Sequence, residues 1–139
     1  MAKLKLEIVT PESKVFSDDV DMVVLPGVEG QLGVLPMHVP LMTQLLPGEL
    51  HIMQGGKKKD LVVGTGFVEV SQTQVSVLTD MAMGEAEIDE RATEEAVKRA
   101  EEFLAKKDLT GEEVGEVQAA LARSLAALKF KRRRRPHPL

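Results

Sequence analysis

The sequence predicts a β + α chain: an N-terminal β-sandwich or barrel followed by a C-terminal antiparallel two-helix hairpin. Two observations carry this. Up to about Asp80, apolar residues alternate with period two in short runs punctuated by Gly and Pro. After "MAMGEAE" the period becomes that of an amphipathic helix, twice, with "KKDLTGEE" between the two runs. The division falls near Gly84, giving residues 1–84 to the strands and 85–139 to a hairpin with a basic end.

Each element has its own signal. In "KLKLEIV", Leu4, Leu6 and Ile8 share one face, and Lys3, Lys5 and Glu7 the other. Val20, Met22 and Val24 alternate in the next run. Leu50 and Ile52 do so in "ELHIMQ", and Val75 and Val77 in "QVSVLTD". "GGKKKD" joins two apolar runs and predicts a hairpin turn. Two glycines interrupt "VVGTGFVEV", which signals a bulge, a corner or close backbone approach. Short strands so punctuated read as a sandwich or barrel.

Asp89 is placed to cap the first helix, with Glu90 favourable in its first turn. Ala92, Ala96, Ala100, Phe103 and Leu104 then share a face. Thr110 and Glu113 have capping-box spacing and open a second helix. Its apolar stripe is Val114, Val117, Leu121, Leu125 and Leu128. The short connection predicts antiparallel helices. An alanine-rich face buries little apolar area, and stabilisation scales at roughly 25 cal/mol per Å². Such a hairpin either rests docked or undocks at modest cost, and the sequence leaves both open.

Composition narrows the chemistry. Aromatic residues make up 3% of the 139 residues, with no Trp, Tyr or Cys. Base-stacking platforms need aromatic faces. Disulfides, thiolate zinc sites and cysteine nucleophiles need cysteine. The N-terminus lacks the apolar core of a secretory signal, and no apolar run reaches the roughly 18 residues of a membrane span. The expectation is a soluble intracellular chain. The net charge of −4 conceals an asymmetry. The stretch from Glu85 to Glu116 is strongly acidic, whereas Lys129, Lys131 and Arg132, Arg133, Arg134 and Arg135 form a basic run.

The most specific stretch is "PGVEGQLGVLPMHVPL", with Gly27, Gly30 and Gly33 three residues apart. A dinucleotide loop needs G-x-G-x-x-G between a strand and a helix. This spacing differs, no phosphate-binding lysine follows, and Pro36 and Pro40 bar a regular helix. The stretch reads instead as a tightly turned loop whose glycines take positive φ. His38, His51 and His137 have no partner at ligand spacing, and no nucleophile motif is present. No self-contained active site and no metal site is expected. An enzyme built on His38 remains a third reading. "KFKRRRRPHPL" reads as a solvated tail, a lipid anchor, a clamp for an acidic protein, or a nucleic-acid contact. The acidic remainder opposes nucleic acid, so the alternative of a β-domain binding module with a nucleic-acid-binding tail stands second.

The stretch "GVEGQLGVLPMHVPL", the strands-then-hairpin order and "IDERA" at the first helix together resemble the epsilon subunits of bacterial F-type ATP synthases. The resemblance spans nearly the whole chain. It implies a flattened β-sandwich of about ten strands, in keeping with closed all-β architectures. It implies a noncatalytic central-stalk subunit coupling proton transport to ATP synthesis, with the sandwich joining the gamma subunit to the c-ring. Gly30, Gln31, Gly33 and His38 would face that ring and the foot of gamma. Many members carry Glu where this chain has Gln31, so no charge-based contact is implied there. The resemblance also implies a hairpin that lies folded or extends into the catalytic head, where it resists hydrolysis. Arg123, Lys129, Lys131 and Arg132 to Arg135 would then approach an acidic segment of the beta subunit. Location follows as the cytoplasmic face of the bacterial inner membrane, held through partners alone.

No resident cofactor is implied. ATP is a regulatory ligand in some members, through I/L-D-x-x-R-A and further arginines. On this chain the matching residues are Asp89, Arg91 and Arg123. Ile88-Asp89-Glu90-Arg91-Ala92 is one residue short between Asp and Arg, which turns Arg91 about 100° around the helix. Four residues after Arg123 stands Ala127.

Overall fold

A computed structural model describes residues 3–106 and 108–134. Ten strands form one sheet: β1 Leu4–Val9, β2 Lys14–Val20, β3 Met22–Gly27, β4 Gly30–Val34, β5 Leu41–Leu45, β6 Gly48–Gln54, β7 Lys57–Val63, β8 Gly66–Val70, β9 Gln74–Thr79 and β10 Ala82–Met83. A 3₁₀ turn at Glu85–Glu87 leads to α1, Glu90–Leu104, and α2, Gly111–Arg134. The strand order is β10-β7-β6-β3-β5-β8-β9-β1-β2, with β4 on β3. The β1–β9 pair is parallel and the other pairs are antiparallel. Although far apart in that order, β2 and β6 touch, so the sheet folds back on itself around one core.

Alternation places that core. Leu4, Leu6 and Ile8 are fully buried, as are Leu50, Ile52, Val75 and Val77. Burying a side chain of this size stabilises by about 1.5–3 kcal/mol. Gly55 and Gly56 turn between β6 and β7 with φ of 57° and 78°, the conformation that a tight hairpin requires. Where Gly66 packs on β9, a Cβ would lie 1.8 Å from the Leu78 carbonyl oxygen. That is the close backbone approach expected of "VVGTGFVEV".

Two expectations about the strands are corrected. Val20, Met22 and Val24 do not form one buried face; Val23 and Leu25 are buried, and Met22 and Val24 are half-buried. The alternation breaks at Asp21, between β2 and β3. Its backbone N–H donates to Met53 O at 2.8 Å and its carboxylate accepts from Gly55 N at 2.9 Å. The glycine-rich stretch is likewise not a loop of positive-φ glycines. Gly27 ends β3 and Gly33 lies inside β4, while Gly30 alone of the three takes positive φ, at 116°. The stretch is a β3–β4 hairpin in which Val28 and Glu29 turn the chain.

Both helix caps form. Asp89 Oδ1 accepts from Ala92 N at 3.0 Å. Thr110 Oγ1 accepts from Glu113 N at 3.1 Å and donates to Glu113 Oε1 at 3.0 Å. The helix faces differ from the pattern. On α1 it is Val97 that is buried, while Ala92 is exposed. On α2, Leu128 is buried but Leu125 is 47% exposed. Ala127 and Phe130 are buried instead, with Val62 and Ile88. Helix α2 also runs into the basic segment, which is helical to Arg134 rather than a tail. Arg135 and the Arg134 side chain lie outside the described residues.

Candidate functional site

Among the described residues the conspicuous surfaces are apolar. Residues 30–48 contain no Asp, Glu, Lys or Arg, in a chain that is 29% charged. The segment joining β4 to β5 presents Leu35, Met37 and Val39, the last 74% exposed. Leu41 and Met42 continue this exposed surface onto β5. The segment is fixed from below. Met37 N donates to Gln72 O at 2.7 Å, and Met37 holds a left-handed φ of 70°. His38 N donates to Leu35 O at 3.2 Å, and His38 Nδ1 lies 2.6 Å from Val39 O. Pro36 and Pro40 restrict the backbone on either side of His38.

Gly30, Gln31 and Gly33 stand on β4 beside this segment, exposed. A Cβ at Gly33 would press on Met22 Cε at 3.1 Å. Gly30 lies beside Gly27 at the Leu45 end of β5, whereas His38 lies on the segment that enters β5 at Leu41, so the four predicted docking residues are spread along β4 and the segment that follows it. A second apolar patch lies on the outer face. Phe67 pairs with Gln44 on one side and with Leu78 on the other, and Leu78 pairs with Val9. Phe67 and Leu78 are exposed although they sit in strands. Period-two reading missed these residues because it looks for one apolar face per strand. The uncharged run from 30 to 48 is the signal that marks the first patch.

The basic residues expected on α2 are mostly engaged within the chain. Arg123 Nη1 donates to Asp80 Oδ2 at 2.9 Å. Lys131 Nζ donates to Glu85 O at 3.1 Å and to its carboxylate at 3.3 Å. Arg133 Nη2 donates to Glu49 Oε1 at 2.5 Å. Arg132 bonds Glu94 and Glu90 of α1. Those two carboxylates, Glu94 foremost, hold its guanidinium above the usual arginine range. Lys129 is exposed.

A cleft of about 290 Å³ lies between the helices and the sandwich. Asp89 and Arg123 line it, together with Glu87 and Ser124, and Arg91 stands outside the lining. Asp89 is occupied by its cap and Arg123 by Asp80. Of the three residues matched to a nucleotide motif, two share this cleft and the third does not.

Comparison with known proteins agrees with this architecture. Residues 3–85 match the family described as ATP synthase, Delta/Epsilon chain, beta-sandwich domain. An ATP synthase epsilon chain of Dehalococcoides mccartyi is 49% identical over 138 residues, covering 99% of both chains. One from Pelotomaculum thermopropionicum is 53% identical over 103 residues, covering 74% of this chain and 77% of that one. A chain in the mitochondrial ATP synthase of Euglena gracilis, solved as OSCP/F1/c-ring, superposes with a TM-score of 0.75 at 26% identity. That match covers 91% of this chain and 79% of the other. No described helix is long and apolar enough to cross a membrane. The chain belongs to the delta/epsilon-chain family of the ATP synthase, as a noncatalytic central-stalk subunit of the epsilon type.

Proposed function

We propose that the chain joins the gamma subunit to the c-ring, using its two exposed apolar patches as separate docking surfaces. The uncharged end of the sandwich carries this reading. Leu35, Met37, Val39, Leu41 and Met42 stand exposed on a backbone held by proline and hydrogen bonds. A contiguous exposed apolar surface of this kind marks an interaction site. In this reading β4, with Gly30, Gln31 and Gly33, and the segment after it, with His38, face the ring and the foot of gamma, and the exposed patch around Phe67 and Leu78 faces gamma. Location follows at the cytoplasmic face of the bacterial membrane, through partners alone. Residues 1–84 serve this docking, and 85–139 regulate.

In the regulatory state the hairpin leaves the sandwich, and Arg123, Lys129, Lys131 and Arg132 to Arg135 meet acidic residues of the catalytic beta subunit. The test is ATP hydrolysis by the reconstituted catalytic head with the full chain or with one ending at Gly84. Faster hydrolysis with the short chain supports a brake. Equal rates with both forms bound to gamma reject it and leave docking as the function. A salt-titrated gel shift checks the nucleic-acid alternative, since phosphate binding falls steeply with salt.

A further inference from the structure

The hairpin is fastened by one helix and by one end of that helix. Helix α1 packs mainly on α2, whereas α2 is the helix that meets β6, β7 and the 3₁₀ turn. At about 100° per residue, Ala127 and Phe130 fall within about 40° of Arg123 around α2. Lys131 and Arg133 flank Phe130 on either side, and Arg132 points away, toward Glu90 and Glu94 of α1. Phe130 is the largest fully buried side chain of the described residues and packs with Val62 and Ile88. Around it, Arg123 reaches Asp80, Lys131 reaches Glu85 and Arg133 reaches Glu49.

We propose that residues 123–133 form a latch that stores the hairpin on the sandwich, with Phe130 as the plug and Arg123, Lys131 and Arg133 as its rim. The rim cations are the ones an acidic partner surface would take. Docking and partner contact therefore compete for the same side chains, a consequence that rests on the regulatory reading above. Exposed ion pairs contribute little individually and are screened by salt. The plug sets how rarely the latch opens, and the rim makes opening sensitive to ionic strength.

The chain has no cysteine, so a Glu12→Cys/Lys98→Cys pair takes two labels and nothing else does. Distances between labels are measured in the isolated full chain, with amide exchange of β1, β8 and β9 as the control for an intact sandwich. Phe130→Ala is expected to raise the ratio of undocked to docked chains at least tenfold. Arg133→Glu is expected to raise it about two- to fivefold at low salt, and adding Glu49→Arg is expected to restore it. Raising salt toward about 1 M, where screening acts within about 3 Å, removes the Arg133→Glu effect. If Phe130→Ala also loosens the sandwich, Arg123→Glu/Arg133→Glu replaces it, because both side chains are at the surface. The latch is overturned if the sandwich stays protected and the distances do not change in either variant. Because no partner is present, this outcome is separate from failed docking, which appears as loss of binding to gamma.

Discussion

Asp80 and Arg123 form an ion pair of 2.9 Å across forty-three residues of sequence, and Gly64 makes room for it. A Cβ at Gly64 would stand 1.9 Å from Asp80 Oδ1 and 3.3 Å from Arg123 Cδ. Thr65 Oγ1 also donates to Asp80 Oδ2, at 3.1 Å, so the carboxylate has little freedom to move aside. Gly64→Ala is expected to destabilise the chain by about 1–3 kcal/mol through overpacking. Gly111→Ala, which meets open space, is expected to be neutral or to stabilise by less than about 1 kcal/mol. Urea denaturation of the two variants checks the difference.

That pair also marks how far the sequence could be read. Local signals resolved well. The β6–β7 turn, the caps at Asp89 and Thr110, and the buried faces of β1, β6 and β9 depend on neighbours within a few residues. The Asp21 junction was hidden because Val20, Met22 and Val24 keep alternating across a break in the strand. Phe130 was hidden by its setting, one apolar residue among six cations in a lysine-flanked run that reads as solvated. Its burial needs Val62 and Ile88, and Arg133 needs Glu49, eighty-four residues away. Of the candidate site, His38 and its neighbours were legible from motif, whereas Phe67 and Leu78 became visible through strand register.

The docking end predicts a separation of binding from stability. Val39 is 74% exposed, so Val39→Asp is expected to change stability by no more than about 0.5 kcal/mol. If a partner covers Val39, losing burial of a side chain of that size weakens binding by about 1.5–3 kcal/mol, or roughly 10- to 150-fold. Titration against the reconstituted stalk, with thermal unfolding of the free chain alongside, checks both halves. Equal affinity for both chains would remove Val39 from the interface.

Acid is expected to loosen one corner of the sandwich first. Hydrogen bonds from Gln54 and from Asp19 N hold the Asp18 carboxyl below the usual range. Asp21 is lowered by the hydrogen bond from Lys3 and then by that from Gly55 N. Both folded values are depressed. Their contribution is therefore complete above the unfolded value of about 3.9 and is lost as pH falls through the folded values. Asp18→Asn/Asp21→Asn is expected to flatten the dependence of stability on pH below about 4. Parallel urea titrations across that range check the slope. Lys3, raised chiefly by its bond to Asp21, has the opposite sign, and its contribution fades as pH rises through its folded value, above about 10.4.

Arg132 tests whether the hairpin and its docking are separate. Glu90 and Glu94 are four residues apart on α1, where like charges repel. Arg132 bridges both and touches no strand in these bonds. Its removal takes away the cation that bridges the two carboxylates. The first turns of α1, which begin at the Asp89 cap, then carry the cost. Arg132→Ala is expected to speed amide exchange there while Ala127 and Phe130 keep their protection, because their contacts with Val62 and Ile88 are untouched. High salt is expected to shrink the difference, since it screens both the lost attraction and the new repulsion. Faster exchange at Phe130 as well would mean that α1 and α2 leave the sandwich as one unit, with Arg132 part of the fastening.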